Sequence, residues 1–207
     1  MNEIELDATG NEHYYKVETK RLPSVTTVLK LLANPGLEAW KRTTPGWEEI
    51  SNWAADIGTR THKAIELELK GWHQTVEEHY VFKCFDAFMQ WKNQYDFELV
   101  DTEMRVVSEK GYGGTLDLIC RLNGRLYIID IKTSNQIYPD YLLQLSAYRA
   151  AYVEMTRNYL QCMSILRLDK NTGMFEFKEY GYDEYVKGRK MFMLLLEYWY
   201  LENGRDV

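Results

Sequence analysis

Apolar positions change their period near the middle of the chain. From about Ser24 to Tyr95 they recur every three to four residues, as in helices that hide one face. After Asp96 they come in short blocks rich in β-branched and aromatic residues, as strands do. Residues 3–21 predict a hairpin, with Ala8-Thr9-Gly10-Asn11 as its turn. Ser24 suits the N-cap of a helix over 25–33, which Asn34-Pro35-Gly36 ends. A short helix through 37–42 follows, and Thr44-Pro45-Gly46 breaks the chain again. Residues 47–70 are helical, in two pieces split near Gly58. Another amphipathic helix covers 75–95, with Tyr80, Phe85, Phe88 and Trp91 on its apolar side. Strands are predicted over 97–108, 113–122 and 125–133, then a helix over 138–156. A strand pair over 159–168 and 173–180 turns at 169–173, and a helix over 183–201 closes the chain. This order predicts one α/β domain over 1–207. Residues 1–95 form an N-terminal hairpin and helical arch, and 96–207 form a sheet core with a closing helix.

Composition narrows the class. Hydrophobic residues make up 45% of the 207 and aromatics 14%, enough for a core and too many for a disordered chain. A net charge of -6 argues against coating nucleic acid by bulk charge, yet leaves room for a local basic groove and for carboxylates awaiting a cation. The three cysteines, Cys84, Cys120 and Cys162, are odd in number and far apart, without a C-x-x-C pair. They match neither a disulfide framework nor zinc or iron–sulfur spacing, and fit a reducing, cytoplasmic setting. The N-terminus lacks an apolar signal core. Residues 191–200 are too short to span a bilayer, contain Glu197, and read as a buried helix.

The chemistry gathers on one predicted strand pair. Asn123-Gly124 is a strong two-residue hairpin signal. Counting outward, Leu122 pairs with Arg125, Ile119 with Ile128, Leu118 with Ile129, and Asp117 meets Asp130. Directly opposed residues have Cβ atoms roughly 4.5–5.5 Å apart, so two carboxylates there repel unless a cation joins them. Lys132, two residues beyond Asp130, lies on the same face. Carboxylates that hold Mg²⁺ or Mn²⁺ beside an ammonium suit phosphodiester hydrolysis. The lysine can orient or deprotonate water, or stabilise developing charge. Gly113-Gly114, just upstream, would let a ligand strand approach the backbone closely.

With these residues in place, GGTLDLI, IIDIKTS and QLSAY resemble, in that order, the motifs of PD-(D/E)xK nucleases of the RecB type, over about residues 58–148. That group includes phage exonucleases and mitochondrial genome-maintenance exonucleases. The resemblance implies a restriction-endonuclease-like α/β fold, a mixed central sheet flanked by helices. It implies that Asp117 and Asp130 ligate metal, that the main-chain carbonyl of Ile131 can do so, and that Lys132 is the catalytic lysine. His62 in G-x-x-x-H becomes a metal ligand, with Glu66, one turn on, as a nearby acid. Glu103, in the strand ahead of Asp117, could bind a second metal. Gln144 and Tyr148, four apart on one helix, could hydrogen-bond a phosphate or orient catalytic groups.

Arg42, Arg60 and Lys63, with Lys41, are the candidate phosphate contacts. Trp40, Trp47 and Trp53 could stack on bases, although Trp53 reads better as core. Arg149 receives no role. The four cysteines of iron–sulfur relatives are missing, so no cluster is expected. No Walker loop is present, so any helicase partner is another chain. The expected protein is a Mg²⁺- or Mn²⁺-dependent nuclease, an exonuclease at DNA ends or in single strands, in a bacterial or phage-infected cell. Its expected partners are DNA and recombination or replication proteins, and no membrane. The competing readings are a structure-specific endonuclease on the same fold and a non-catalytic nucleic-acid-binding module.

Overall fold

A computed structural model of the chain describes residues 4–7, 13–17, 19–32, 34–73 and 75–204. Its elements run β1 (Ile4–Asp7), β2 (Tyr14–Val17), β3 (Lys20–Pro23), α1 (Val25–Leu29), α2 (Pro35–Thr43), α3 (Trp47–Leu69) and α4 (His79–Lys92). They continue β4 (Phe97–Ser108), β5 (Tyr112–Leu122), β6 (Arg125–Lys132), α5 (Asp140–Thr156), β7 (Cys162–Leu168), β8 (Phe175–Tyr180) and α6 (Tyr182–Asn203). The turn expected at 8–11 lies outside the described residues. The strands on either side of it pair antiparallel, and β3 adds a third strand to that hairpin.

Helix starts follow local chemistry. The Ser24 hydroxyl accepts from the Thr27 amide at 2.9 Å, capping α1. Asn34 does the same for the Leu37 amide at 2.9 Å, with Pro35 in the first turn of α2. The Glu78 carboxylate accepts from the amides of Tyr80 and Val81 to open α4. Asn34 therefore opens α2, where a terminator of the preceding helix was expected. That preceding helix, α1, is only five residues long. The expected break near Gly58 is absent, and α3 is continuous over 23 residues. Gly58 is explained by crowding: a Cβ there would stand 3.3 Å from the Thr133 hydroxyl.

The main sheet has the order β4-β5-β6-β7-β8. All neighbours are antiparallel except β6 and β7, which are parallel and joined by α5 as the crossover. Helices cover both faces. On one, Val25, Val28, Leu145, Ala147, Phe192 and Trp199 pack over Ile119, Ile128 and Ile165. On the other, Ile65, Phe88 and Trp91 pack over Leu118, Cys120, Ile129 and Ile131. Burial on both sides is why β5 and β6 read as near-continuous apolar runs in which a charged residue stands out. This is the mixed sheet flanked by helices that the motifs implied. All three cysteines are buried and free.

The closing helix differs from expectation. Phe192, Leu196 and Trp199 of α6 are buried, but Met191, Leu194, Tyr198 and Leu201 are exposed, so only one face is covered. Trp53 is likewise 41% exposed and leans edge-on against Tyr80, where a core position was expected. Among the described residues no helix is long and apolar enough to cross a membrane.

Candidate active site

The site lies where β5 and β6 part company. Their ladder has the register expected from Asn123-Gly124, Leu122 with Arg125 through Leu118 with Ile129. It stops one pair short of Asp117 and Asp130. Beyond that point the Asp117 side chain replaces the main chain, and its Oδ2 accepts from the Ile131 amide at 2.7 Å. On the other side of β5, Thr102 pairs with Leu118 and Met104 with Leu116, so Glu103 and Asp117 oppose one another between those pairs. Glu103 has φ +55°, a left-handed conformation rarely adopted by non-glycine residues. The Thr102 hydroxyl bonds the Asp117 carbonyl at 2.8 Å. This local irregularity turns both acids toward α3.

His62 meets them there. Its Nδ1 is 3.5 Å from Asp117 Oδ1. One ligand atom from each of His62, Glu103 and Asp117 can be chosen so that all three lie within 4.8 Å of one another. Hard divalent cations bind donors at roughly 2.0–2.6 Å, so one ion can touch all three, and two carboxylate oxygens with one imidazole nitrogen are a fitting donor set. The charges agree. Burial and the Asp117 carboxylate push Glu103 up to about 7. Burial lowers the His62 imidazolium, but Asp117 outweighs it and lifts that group to about 9. Burial also opposes ionisation of Asp117, yet His62 and Lys132 overcome it and hold the carboxyl below its ordinary range. The cluster thus attracts positive charge.

A second group stands beside this one. Lys132 Nζ is 2.9 Å from Asp130 Oδ2 and 2.9 Å from Gln144 Oε1. Gln144 Nε2 donates to Asp130 Oδ1 and to the Tyr148 hydroxyl, both at 3.1 Å. The i, i+4 spacing on α5 therefore serves to lock β6 to α5. Asp130 is 2% exposed, and its carboxyl is engaged by Lys132 and Gln144. Burial outweighs the lysine and raises Asp130 to about 6. Lys132 itself is raised despite burial, because Asp130 and Asp117 favour the ammonium.

Other expected residues stand outside the cluster. Glu66 is ion-paired to Lys63 at 2.8 Å and Lys70 at 2.6 Å, outside the three-donor cluster. Arg60 pairs with Asp56, and Lys41 with Glu38 while lying over the Trp47 ring. The Arg42 Nε donates to the Glu38 carbonyl. Such exposed pairs are weak and exchange readily for a phosphate. Arg149 donates to the Leu160 carbonyl, away from the site. The glycine pair does not admit a ligand strand. Gly113 is covered by the Tyr15 ring and Gly114 by the Tyr148 ring, so a Cβ at either would overlap an aromatic side chain of the protein itself.

Three neighbours escaped the sequence analysis. Tyr15 bonds Thr115 at 2.9 Å through its hydroxyl. The Tyr141 ring lies 4.8 Å from Lys132 Nζ, and its place one turn before Gln144 on α5 was a usable signal. Lys170, in the turn between β7 and β8, bonds the Thr133 carbonyl at 2.8 Å, and no local pattern marks it. A cleft of about 320 Å³ runs between α3 and the end of β6, touching His62, Ile131, Lys132, Thr133, Ser134 and Lys170.

Comparison with known proteins bears on the fold and the family. No curated protein matches the chain. Among solved structures, one from Eubacterium rectale described as a candidate exonuclease superposes with a TM-score of 0.50 at 13% identity, covering 73% of this chain and 68% of the other. A second, SSO0001, reaches a TM-score of only 0.31 at 16% identity over 55% of this chain and 58% of its own, too distant to argue from. The first likeness concerns the fold. The family model of the PD-(D/E)XK nuclease superfamily matches residues 15–188, spanning the three-donor cluster, Lys132 and α5, and the chain belongs to that superfamily.

Proposed function

We propose that the chain is a divalent-metal-dependent DNA nuclease of the RecB type, working as an exonuclease at DNA ends or in single strands. The observation that carries this is the cluster of His62, Glu103 and Asp117 beside the Lys132 ammonium. His62, Glu103 and Asp117 would hold Mg²⁺ or Mn²⁺, and the Ile131 carbonyl and Asp130 are further candidates. A cation bound there supplies Lewis acidity, acidifying water and neutralising charge on the phosphate.

The protein's own groups account for the rest. Asp130, Asp117 and Gln144 keep Lys132 protonated and aimed. That favours an ammonium donating to water or to a phosphate oxygen over a lysine acting as base. Water then attacks phosphorus in line and gives up its proton to solvent, the bond to the leaving deoxyribose oxygen breaks, that oxygen takes up a proton from solvent, and no covalent enzyme intermediate forms. Tyr148 and Gln144 hold the geometry from α5.

The test uses end-labelled linear single- and double-stranded DNA with Mg²⁺, Mn²⁺ or EDTA. Cleavage with either metal and none in EDTA is expected, and cleavage that persists in EDTA would falsify the metal requirement. Circular single-stranded DNA should survive; if it is cut, the endonuclease reading replaces the exonuclease one. Support for end-directed cutting comes from the motif resemblance and from the name of the Eubacterium rectale structure.

A further inference from the structure

Lys170 is 7% exposed, in a turn where lysine is normally solvated. Its ammonium has one acceptor, the Thr133 carbonyl at 2.8 Å. None of the ion pairs among the described residues includes it. The adjacent acid is turned away: Asp169 accepts from the amides of Asn171 and Thr172 and from the Arg167 guanidinium. An ammonium withdrawn from water is costly without a counter-charge, and two of its three donors remain for a ligand.

Lys170 lines the cleft beside the candidate active site. The lining contains Lys132 and Lys170, the hydroxyl-bearing Thr133, Ser134 and Tyr141, and no carboxylate. Asp130 compensates Lys132, and Asp117 compensates His62, which also lines the cleft. Lys170 is therefore the cation left uncompensated, and an anion is the ligand that balances it. On a polynucleotide, successive phosphates offer such anions at regular spacing.

We propose that Lys170 binds the backbone phosphate next to the scissile one, on the Thr133–Ser134 side of Lys132. It thereby sets the register of the DNA strand in the cleft. The choice of ligand rests on the nuclease reading above. In this role Lys170 grips substrate and leaves the chemical step alone.

The experiment compares the full chain with Lys170→Gln and Lys170→Arg. Binding of a labelled single-stranded oligonucleotide is followed by fluorescence anisotropy in EDTA across a KCl series, alongside KM and kcat with Mn²⁺. Glutamine keeps amide N–H donors but carries no charge. Lys170→Gln should bind about tenfold more weakly, the loss of one charge-assisted hydrogen bond. Its slope of log affinity against log salt should be shallower by about 0.7, one phosphate contact on a single strand. KM should rise with kcat held, and Lys170→Arg should keep wild-type values. An unchanged slope and affinity for Lys170→Gln overturns the assignment. So does equal impairment of Lys170→Arg with a lowered Tm and an unchanged slope, because that marks a purely structural tether. If wild type cuts no DNA while Lys170→Gln still flattens the slope, the nuclease reading fails and the phosphate contact stands.

Discussion

At the scale of single residues, Lys132 owes both its charge and its direction to its neighbours, Asp130, Asp117 and Gln144. Lys132→Ala should reduce single-turnover cleavage by about 10²–10³-fold, the usual worth of one positioned donor aimed at developing charge, with DNA affinity largely kept. Equal losses of binding and cleavage would instead make Lys132 a substrate anchor. Gln144 touches no reacting atom on this reading, yet it satisfies Asp130, Lys132 and Tyr148 at once. Gln144→Ala should cost about 1–3 kcal/mol of stability in chemical denaturation, because buried polar partners are left unmade. Activity should fall about 10–100-fold, as for groups that support a metal-site residue. A variant of wild-type stability and rate would show that α5 does not hold the lysine.

At the scale of elements, the glycines act through packing. Gly114 is the place on β5 where the Tyr148 ring from α5 settles on the strand, and Gly113 takes Tyr15 from β2 on the same principle. Gly114→Ala should destabilise the fold by about 1–3 kcal/mol through overpacking. If the clash with Tyr148 is the cause, combining it with Tyr148→Ala should recover part of the loss, a coupling of about 0.5–3 kcal/mol in a double-mutant cycle. Strict additivity would place the strain elsewhere. Gly58 follows similar logic, since it lets α3 approach Thr133 and bring His62 over the end of β5.

At the scale of the whole molecule, the metal-free site should make stability depend on pH in a defined direction. The folded His62 is raised from 6.5 to about 9 and Glu103 from 4.5 to about 7. A group whose folded pKa is raised stabilises fully below its unfolded pKa and loses that contribution as pH passes the folded value. Glu103 therefore withdraws support between about 4.5 and 7, and His62 between about 6.5 and 9. Asp117, shifted down, acts in the opposite sense, but only in acid below its ordinary range. In EDTA the Tm should fall from pH 6 to 9. Mn²⁺ displaces those protons, so its stabilisation should grow over the same window. A Tm gain from Mn²⁺ that is flat with pH, or that survives unchanged in His62→Asn, would remove His62 from the ligand set.

Local rules in the sequence determined much of this molecule. The Asn123-Gly124 turn dictates the register from Leu122 with Arg125 to Leu118 with Ile129. The two-residue period puts Lys132 on the face of Asp130, and the 3.6-residue period puts Gln144 and Tyr148 on one side of α5. Each depends on neighbours a few residues apart, so each is legible without a fold. The resemblance named His62, Glu103 and Asp117 among the expected ligands, but their convergence into one three-donor cluster was decided only in three dimensions. It needs β4 to oppose β5 at Glu103 and Asp117, a left-handed backbone at Glu103, and α3 packed close enough to deliver His62. The tenants of Gly113 and Gly114 and the seclusion of Lys170 are of the same kind. A side chain's environment is set by whatever the rest of the chain packs against it, and periodicity carries no record of that.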